Sequence, residues 1–266
     1  MFLSEIWIYP VKSLGGIRQT QAVVEEKGLQ YDRRWMIVDE NGKFLTQRVN
    51  PNMALLDVEI HTDGLIISRR FQTDNQILVP FEANSNQTIQ VKVWEDTVLA
   101  RTICDKADAW LTRQLGKSVR IVEMSEQTKR KMDPAYSGKE SLVSFADDFP
   151  YLLISEGSLQ DLNSRLAQPV TMRRFRPNFI ISGTEPFAED SWKKVRIGQV
   201  EFIVAKPCER CILVGIDPVT GQKGSEPLKT LSSYRKVGKN IFFGQNLVSR
   251  ENGLLQEGDE LVITEP

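Results

Sequence analysis

Short apolar or alternating runs recur along the first part of this chain with turn residues between them: Leu3 to Ile8, Ala22 to Val24, Trp35 to Val38, Leu55 to Ile60, Leu65 to Ser68, Ile77 to Val79 and Ile89 to Val93. Side chains that alternate with a period of two fall on opposite faces of a strand, and this spacing is that of a β-barrel or sandwich, not of βαβ units. The period changes at Asp105 to Leu115. There Ala107, Trp110, Leu111 and Leu115 share one helical face behind a cap at Asp105, which predicts a helix closing a first domain. A second β-rich region starts at Val119. With 266 residues to place, two domains sharing an interface are expected, residues 1–118 and 119–266.

In the second region, Ser155 or Ser158 caps a helix bearing Leu159, Leu162 and Leu166, and strands are expected at Phe179 to Ile181, Glu201 to Val204, Ile241 to Phe243 and Leu261 to Thr264, with Pro227 to Tyr234 helical. The polar stretch from Lys129 to Ala146, with its KRK run, Pro134 and Gly138, has the composition of a solvated loop.

Thirty-four Lys and Arg against 35 Asp and Glu leave a net charge of −1, so nothing in the overall charge calls for nucleic acid or a membrane surface, and an anion site must be local. No basic segment precedes an apolar run at the N-terminus, and no stretch approaches 18 uncharged apolar residues, so a soluble, cytoplasmic protein is expected. Three cysteines do not make a disulfide framework and fit a reducing compartment.

Two of those cysteines, Cys208 and Cys211, sit in a C-x-x-C spacing inside KPCERCILVGIDPVTG. Such a pair can be half of a zinc site, a redox dithiol, or the source of one thiolate for a soft metal centre. Zinc lacks ligands here, since only Cys104 and the single histidine, His61, remain. His61 alternates with Ile60 and Val58 and reads as an outward-facing or satisfied structural residue of a strand. Cations stand at the ends of β segments beside Pro or Ser: Lys12 and Ser13 in YPVKS, Arg33 in YDRRW, Arg176 and Asn178 in FRPN, and Arg210 between the cysteines. A guanidinium held by rigid backbone can grip a phosphate or another planar anion bidentately. Neither a Walker A sequence nor G-x-G-x-x-G is present, so a glycine-rich loop would not hold that anion. Asp147 and Asp148 are adjacent and, on a strand, would point to opposite faces. Asp217 reads as a turn former.

Nine motifs occur in order: YPVKS, YDRRW, LTQR with PxMALL, SFADDFPYLLIS, FRPNFIISG, AEDSW, PCERCILVGIDPVTG, PLKTLSSYR and FGQN. In these the chain resembles the MOSC family whose members carry an additional N-terminal MOSC β-barrel, the group of the mitochondrial amidoxime-reducing component and its bacterial relatives, from about Leu3 to Ile263. The resemblance implies a β-rich mixed α+β fold, two β-barrel-like domains with a few short helices. It also implies a molybdenum cofactor, a molybdopterin whose metal takes Cys211 as its one protein ligand, with Cys208 in support. Cofactor contacts carry over to Lys12, Ser13, Arg33, Arg176, Asn178 and Arg210, and to Asn246 as a further pterin contact. Asp147 and Asp148 fall near a phosphate-contacting loop, where backbone amides would serve the anion. Glu209 departs from the small polar residue of some relatives. The implied reaction is two-electron reduction of N-hydroxylated small molecules such as amidoximes, hydroxylamines and N-hydroxylated bases. The chain has no ferredoxin-type cysteine run, so electrons are expected from a separate flavin, haem or iron-sulfur protein. In other MOSC-containing proteins the same cysteine is thought to handle sulfur, so a sulfur carrier or cofactor-binding module without turnover is the alternative.

Overall fold

The computed structural model describes residues 1–83, 87–136 and 141–266. Its largest sheet runs, in spatial order, Leu261–Glu265, Lys194–Ile197, Val200–Glu209, Asn240–Ser249, Tyr151–Ser155, Phe179–Ser182, Phe2–Ile8 and Ile17–Gln19, with Lys236–Val237 added against Asn240–Ser249. Phe2–Ile8 pairs antiparallel with Phe179–Ser182, so the first strand of the chain completes the sheet of its second half. A four-stranded sheet orders Trp35–Val38, Arg120–Glu123, Asp96–Thr102 and Thr88–Val93. Among the described residues there are also two three-stranded sheets: Leu56–His61, Gly64–Arg69 and Gln72–Pro80 form one, and Gly253–Gln256, Gln21–Glu25 and Gly28–Leu29 the other.

Alternation along the strands explains the layering. On Phe2–Ile8, Leu3, Ile6 and Ile8 are buried and pack with Tyr151, Leu153, Phe179 and Phe202. Each fully buried Phe of this kind contributes roughly 1.5–3 kcal/mol relative to an exposed one. A separate core joins Trp35, Ile37, Leu56, Ile67 and Val79 to the buried face of α1 (Asp105–Leu115), made of Ala107, Trp110, Leu111 and Leu115. The helix ends at Gly116, whose left-handed φ of 65° lets its N–H reach back to the Thr112 carbonyl at 2.9 Å. Its N-cap is Cys104 and not Asp105, which is the first helical residue and lies where an acid favours the helix dipole.

The second helix, α2 (Glu156–Ser164), is capped by Ser155, whose hydroxyl accepts the Ser158 N–H at 3.1 Å. It connects Tyr151–Ser155 to the parallel strand Phe179–Ser182. The third, α3, spans Leu228–Tyr234. His61 is exposed, as its alternation predicts. Within the KRK run Lys129 and Lys131 are exposed as expected of a solvated loop, whereas Arg130 departs from it and is only 4% exposed. Gly138 of the same stretch lies outside the described residues. Among the described residues, no helix is long and apolar enough to cross a membrane.

Candidate cofactor site

The strand Val200–Glu209 runs out at Arg210, and Cys211 takes the N-cap position of the single 3-10 turn Ile212–Gly215 with extended backbone. That geometry turns the sulfur outward: Cys211 is exposed, whereas Cys208 is partly buried against the cluster around Phe175 and Phe243. Burial pushes the Cys208 thiol up despite the opposing pull of Arg210, so Cys208 stays a thiol. Beside Cys211 stands a cation the sequence reading did not select. Arg48 Nη1 lies 3.7 Å from the Cys211 Sγ.

From Arg48 the contacts continue without a break. Its guanidinium lies 4.5 Å from the centroid of Trp94, whose indole N–H donates to Asp147 Oδ1 at 3.1 Å. Lys12 Nζ donates to the same Asp147 oxygen at 2.5 Å and to the Phe145 carbonyl at 2.7 Å. Asp147 therefore meets the site through its carboxylate, where only backbone amides were expected of this segment. The Asp147 side chain is 60% exposed, and the desolvation it feels is outweighed by the Lys12 charge and the Lys12 and Trp94 hydrogen bonds, which hold its carboxyl well below the usual carboxylate range. Arg130 fixes the segment from below by donating to the carbonyls of Ser144 at 3.0 Å, Ala146 at 2.5 Å and Asp147 at 2.7 Å.

A second cluster is built on Tyr9, at the end of Phe2–Ile8. The guanidinium carbons of Arg33 and Arg176 lie 4.3 and 4.1 Å from its ring centroid. Arg33 donates to Asp32 Oδ2 at 2.5 Å, Asn178 Oδ1 at 3.3 Å and the Arg176 carbonyl at 3.1 Å. Arg176 donates to the Leu14 carbonyl at 2.6 Å, and Asn178 donates to the Trp7 carbonyl at 3.1 Å. The clusters join through the backbone, because the Phe145 N–H donates to the Arg33 carbonyl at 2.9 Å. Arg210 links them to the cysteine loop, with Nε on the Phe243 carbonyl at 2.8 Å and Nη1 on the Phe175 carbonyl at 3.1 Å. Its Nη2 is buried and lacks a partner among the described residues.

Three of the residues selected from sequence hold left-handed backbone: Ser13 at φ 68°, Arg33 at 50° and Arg176 at 57°. Left-handed non-glycine residues cost of order 1–3 kcal/mol each and gather where a site over-determines them. The Ser13 carbonyl is held by Gln47 Nε2 at 2.7 Å, and Gln47 belongs to the same LTQR segment as Arg48. Five cations, Lys12, Arg33, Arg48, Arg176 and Arg210, thus meet two carboxylates, Asp32 and Asp147, in a chain whose overall charge is −1. Burial and the neighbouring Arg33 lower Arg176 to about 10.

Asn246 is half-buried on Asn240–Ser249, opposite Leu152 and Lys206, and stands apart from these contacts. Asp217 serves its turn, accepting the Val219 and Thr220 N–H groups at 2.8 and 2.9 Å. Glu209 is exposed. Arg48, Trp94 and Arg130 escaped the sequence reading. The available signals were Trp94 itself, a large aromatic at the turn between Thr88–Val93 and Asp96–Thr102, and the LTQR motif that contains Arg48.

The Asp147 geometry has a pH consequence. A carboxylate depressed in the folded state adds stability above its unfolded pKa, about 3.9, and loses that contribution as pH falls toward the folded value. The melting temperature of Asp147→Asn is therefore expected to fall less steeply than wild type between pH 5 and pH 2. Superimposable acid limbs would show that Lys12 does not stabilise the charged form.

Among the described residues, no group of three or more His, Cys, Asp and Glu side chains could hold a metal ion unaided. Residues 1–118 match the MOSC N-terminal beta barrel domain and residues 140–262 the MOSC domain. The chain is 34% identical to mitochondrial amidoxime-reducing component 1 of Mus musculus, over 98% of this chain and 82% of that one. It is 32% identical to mitochondrial amidoxime-reducing component 1 of Homo sapiens, with the same coverage of both chains. It is also 34% identical to the molybdenum cofactor sulfurase of Oryza sativa subsp. japonica, over 91% of this chain and 32% of that longer one.

Proposed function

The chain belongs to the MOSC family in the form that carries an N-terminal MOSC β-barrel, and from that premise we propose that it is a cytoplasmic, molybdenum-cofactor-dependent reductase of N-hydroxylated compounds in which Cys211 is the protein ligand of the metal. The observation that carries the reading is the exposed Cys211 sulfur beside Arg48, at the edge of a five-cation network built by both halves of the chain. The residues fit a molybdopterin. A soft sulfur suits molybdenum, and the buried Nη2 of Arg210 is a donor left over for an anionic group.

When bound, the cofactor supplies the two-electron chemistry that removes the oxygen of an N–OH group as water. The chain's own residues do the holding. Lys12, Arg33, Arg176 and Arg210 supply positive charge for the cofactor's phosphate, with Ser13 and Asn178 between them. Asn246 contributes a pterin contact from its own strand. Arg48 places a fixed positive charge beside the sulfur, the setting in which cysteines act as ligands. Cys208, kept a thiol by burial, is the poorer ligand of the pair. Electrons come from a separate protein carrying flavin, haem or iron-sulfur, and the substrate is a small N-hydroxylated molecule.

A sulfur-carrier role for Cys211 is the second reading, favoured by the likeness to a molybdenum cofactor sulfurase. One preparation separates them. Protein purified from a cofactor-competent host is expected to hold stoichiometric molybdenum and fluorescent pterin and to reduce benzamidoxime with reduced methyl viologen as electron source. Metal-free protein bearing a persulfide on Cys211, with no turnover, would overturn the reductase and support the carrier.

A further inference from the structure

A cavity of about 410 Å³ adjoins the Tyr9 cluster, between the sheet and α2. Glu5 and Trp7 line it at alternate positions along Phe2–Ile8, as the period of two requires, and Tyr9 follows just past the strand's end. Ile180, which pairs with Glu5, adjoins them. Glu156 and Leu159, one turn apart on α2, form the facing wall, and Val170, Met172 and Arg173 close one side. Its volume falls within the range of roughly 300–1,000 Å³ typical of small-molecule sites, and its lining is mostly apolar with a few convergent polar groups.

Those polar groups are already aimed. Glu5 Oε2 accepts the Trp7 indole N–H at 2.6 Å, which fixes the ring. Glu156 Oε1 accepts the Ser4 hydroxyl at 2.7 Å, which orients the carboxylate and, among the described residues, leaves its Oε2 without a hydrogen bond. Glu5 already has a cation, Arg18 Nη1 at 3.7 Å from its Oε1, and Arg173 lines the cavity with its guanidinium 5.9 Å from the Trp7 centroid, near the outer limit of about 6 Å for a cation–π contact. The Tyr9 hydroxyl is buried and unpartnered among the described residues, and burial raises the group to about 12, so it remains a donor.

We propose that this cavity binds a planar aromatic cation, an arylamidinium or arylguanidinium, with its charged fork on Glu156 and its ring against Trp7. Carboxylates grip such a fork through two parallel hydrogen bonds, and an indole edge or face is the preferred partner for the ring. In the proposed reaction the site would prefer product to substrate, because an amidine is a stronger base than its amidoxime, but the binding itself does not rest on that activity.

Calorimetric titration of the full-length protein with benzamidine tests it. Saturable one-to-one binding is expected, with neutral benzamide at least about tenfold weaker, a factor worth some 1.4 kcal/mol. Glu156→Gln, which keeps an oxygen for Ser4, should weaken benzamidine at least tenfold, and Trp7→Phe should weaken it several-fold should the first variant fold poorly. Cys211→Ala should bind as wild type. Benzamide binding as tightly as benzamidine, unchanged affinity in Glu156→Gln, or loss of binding in Cys211→Ala would each overturn the proposal.

Discussion

Cys211→Ala is expected to lower benzamidoxime reduction by at least about a thousandfold, the scale on which removing one essential group of a catalytic unit acts, while Cys208→Ala stays within about tenfold of wild type. The contrast follows from placement. Cys211 is exposed at the start of a 3-10 turn with Arg48 at 3.7 Å, whereas Cys208 is partly buried with its thiol pushed up. Pterin content separates the ligand role from cofactor retention, because the cations that would hold the phosphate are untouched by the substitution. Wild-type rates from pterin-loaded Cys211→Ala would sink the ligand assignment.

The second large effect is expected at Arg33. Its partner Asp32 is fully buried, accepting the Tyr9 N–H at 2.7 Å and Arg33 Nη1 at 2.5 Å. Arg33→Ala strands that carboxylate, and breaking a buried pair from one side costs about 3–5 kcal/mol. In a chain of this size that is a fall of roughly 10 °C in melting temperature. Asp32→Asn in the same chain should recover most of the stability, since the amide still accepts from Tyr9 without an uncompensated charge. Cofactor retention should stay 10–100-fold down in the double variant, as when a group supporting a metal site is removed. A single variant melting with wild type would show that the pair is not structural, and a double variant with normal cofactor content would remove Arg33 from the cofactor cradle.

Much of the architecture was legible because its cause is local. Alternation at Leu3 to Ile8 or Ile89 to Val93 expresses the strand pleat itself, and the helix face of Ala107, Trp110, Leu111 and Leu115 expresses a 3.6-residue turn. The structure places these elements within a residue or two of expectation. Asp105 was misread as a cap because acids favour both the cap and the first turn, and only the backbone angles of Cys104 separate the two. The KRK run looked solvated because charge there is exposed on average. Arg130 is buried because three carbonyls of a segment some fifteen residues away converge on it, and nothing adjacent in the chain announces that convergence.

By itself the sequence determined the β-rich class, the C-x-x-C loop and a set of cations at strand ends, since each depends on residue type and short spacing. The tertiary structure alone decided that Arg48 stands beside the Cys211 sulfur, that Lys12 shares Asp147 with Trp94, and that Ser13, Arg33 and Arg176 hold left-handed backbone. Those contacts join residues 53 to 163 positions apart. Their partners are chosen by sheet pairing and core packing over the whole molecule, which no local window of the chain encodes.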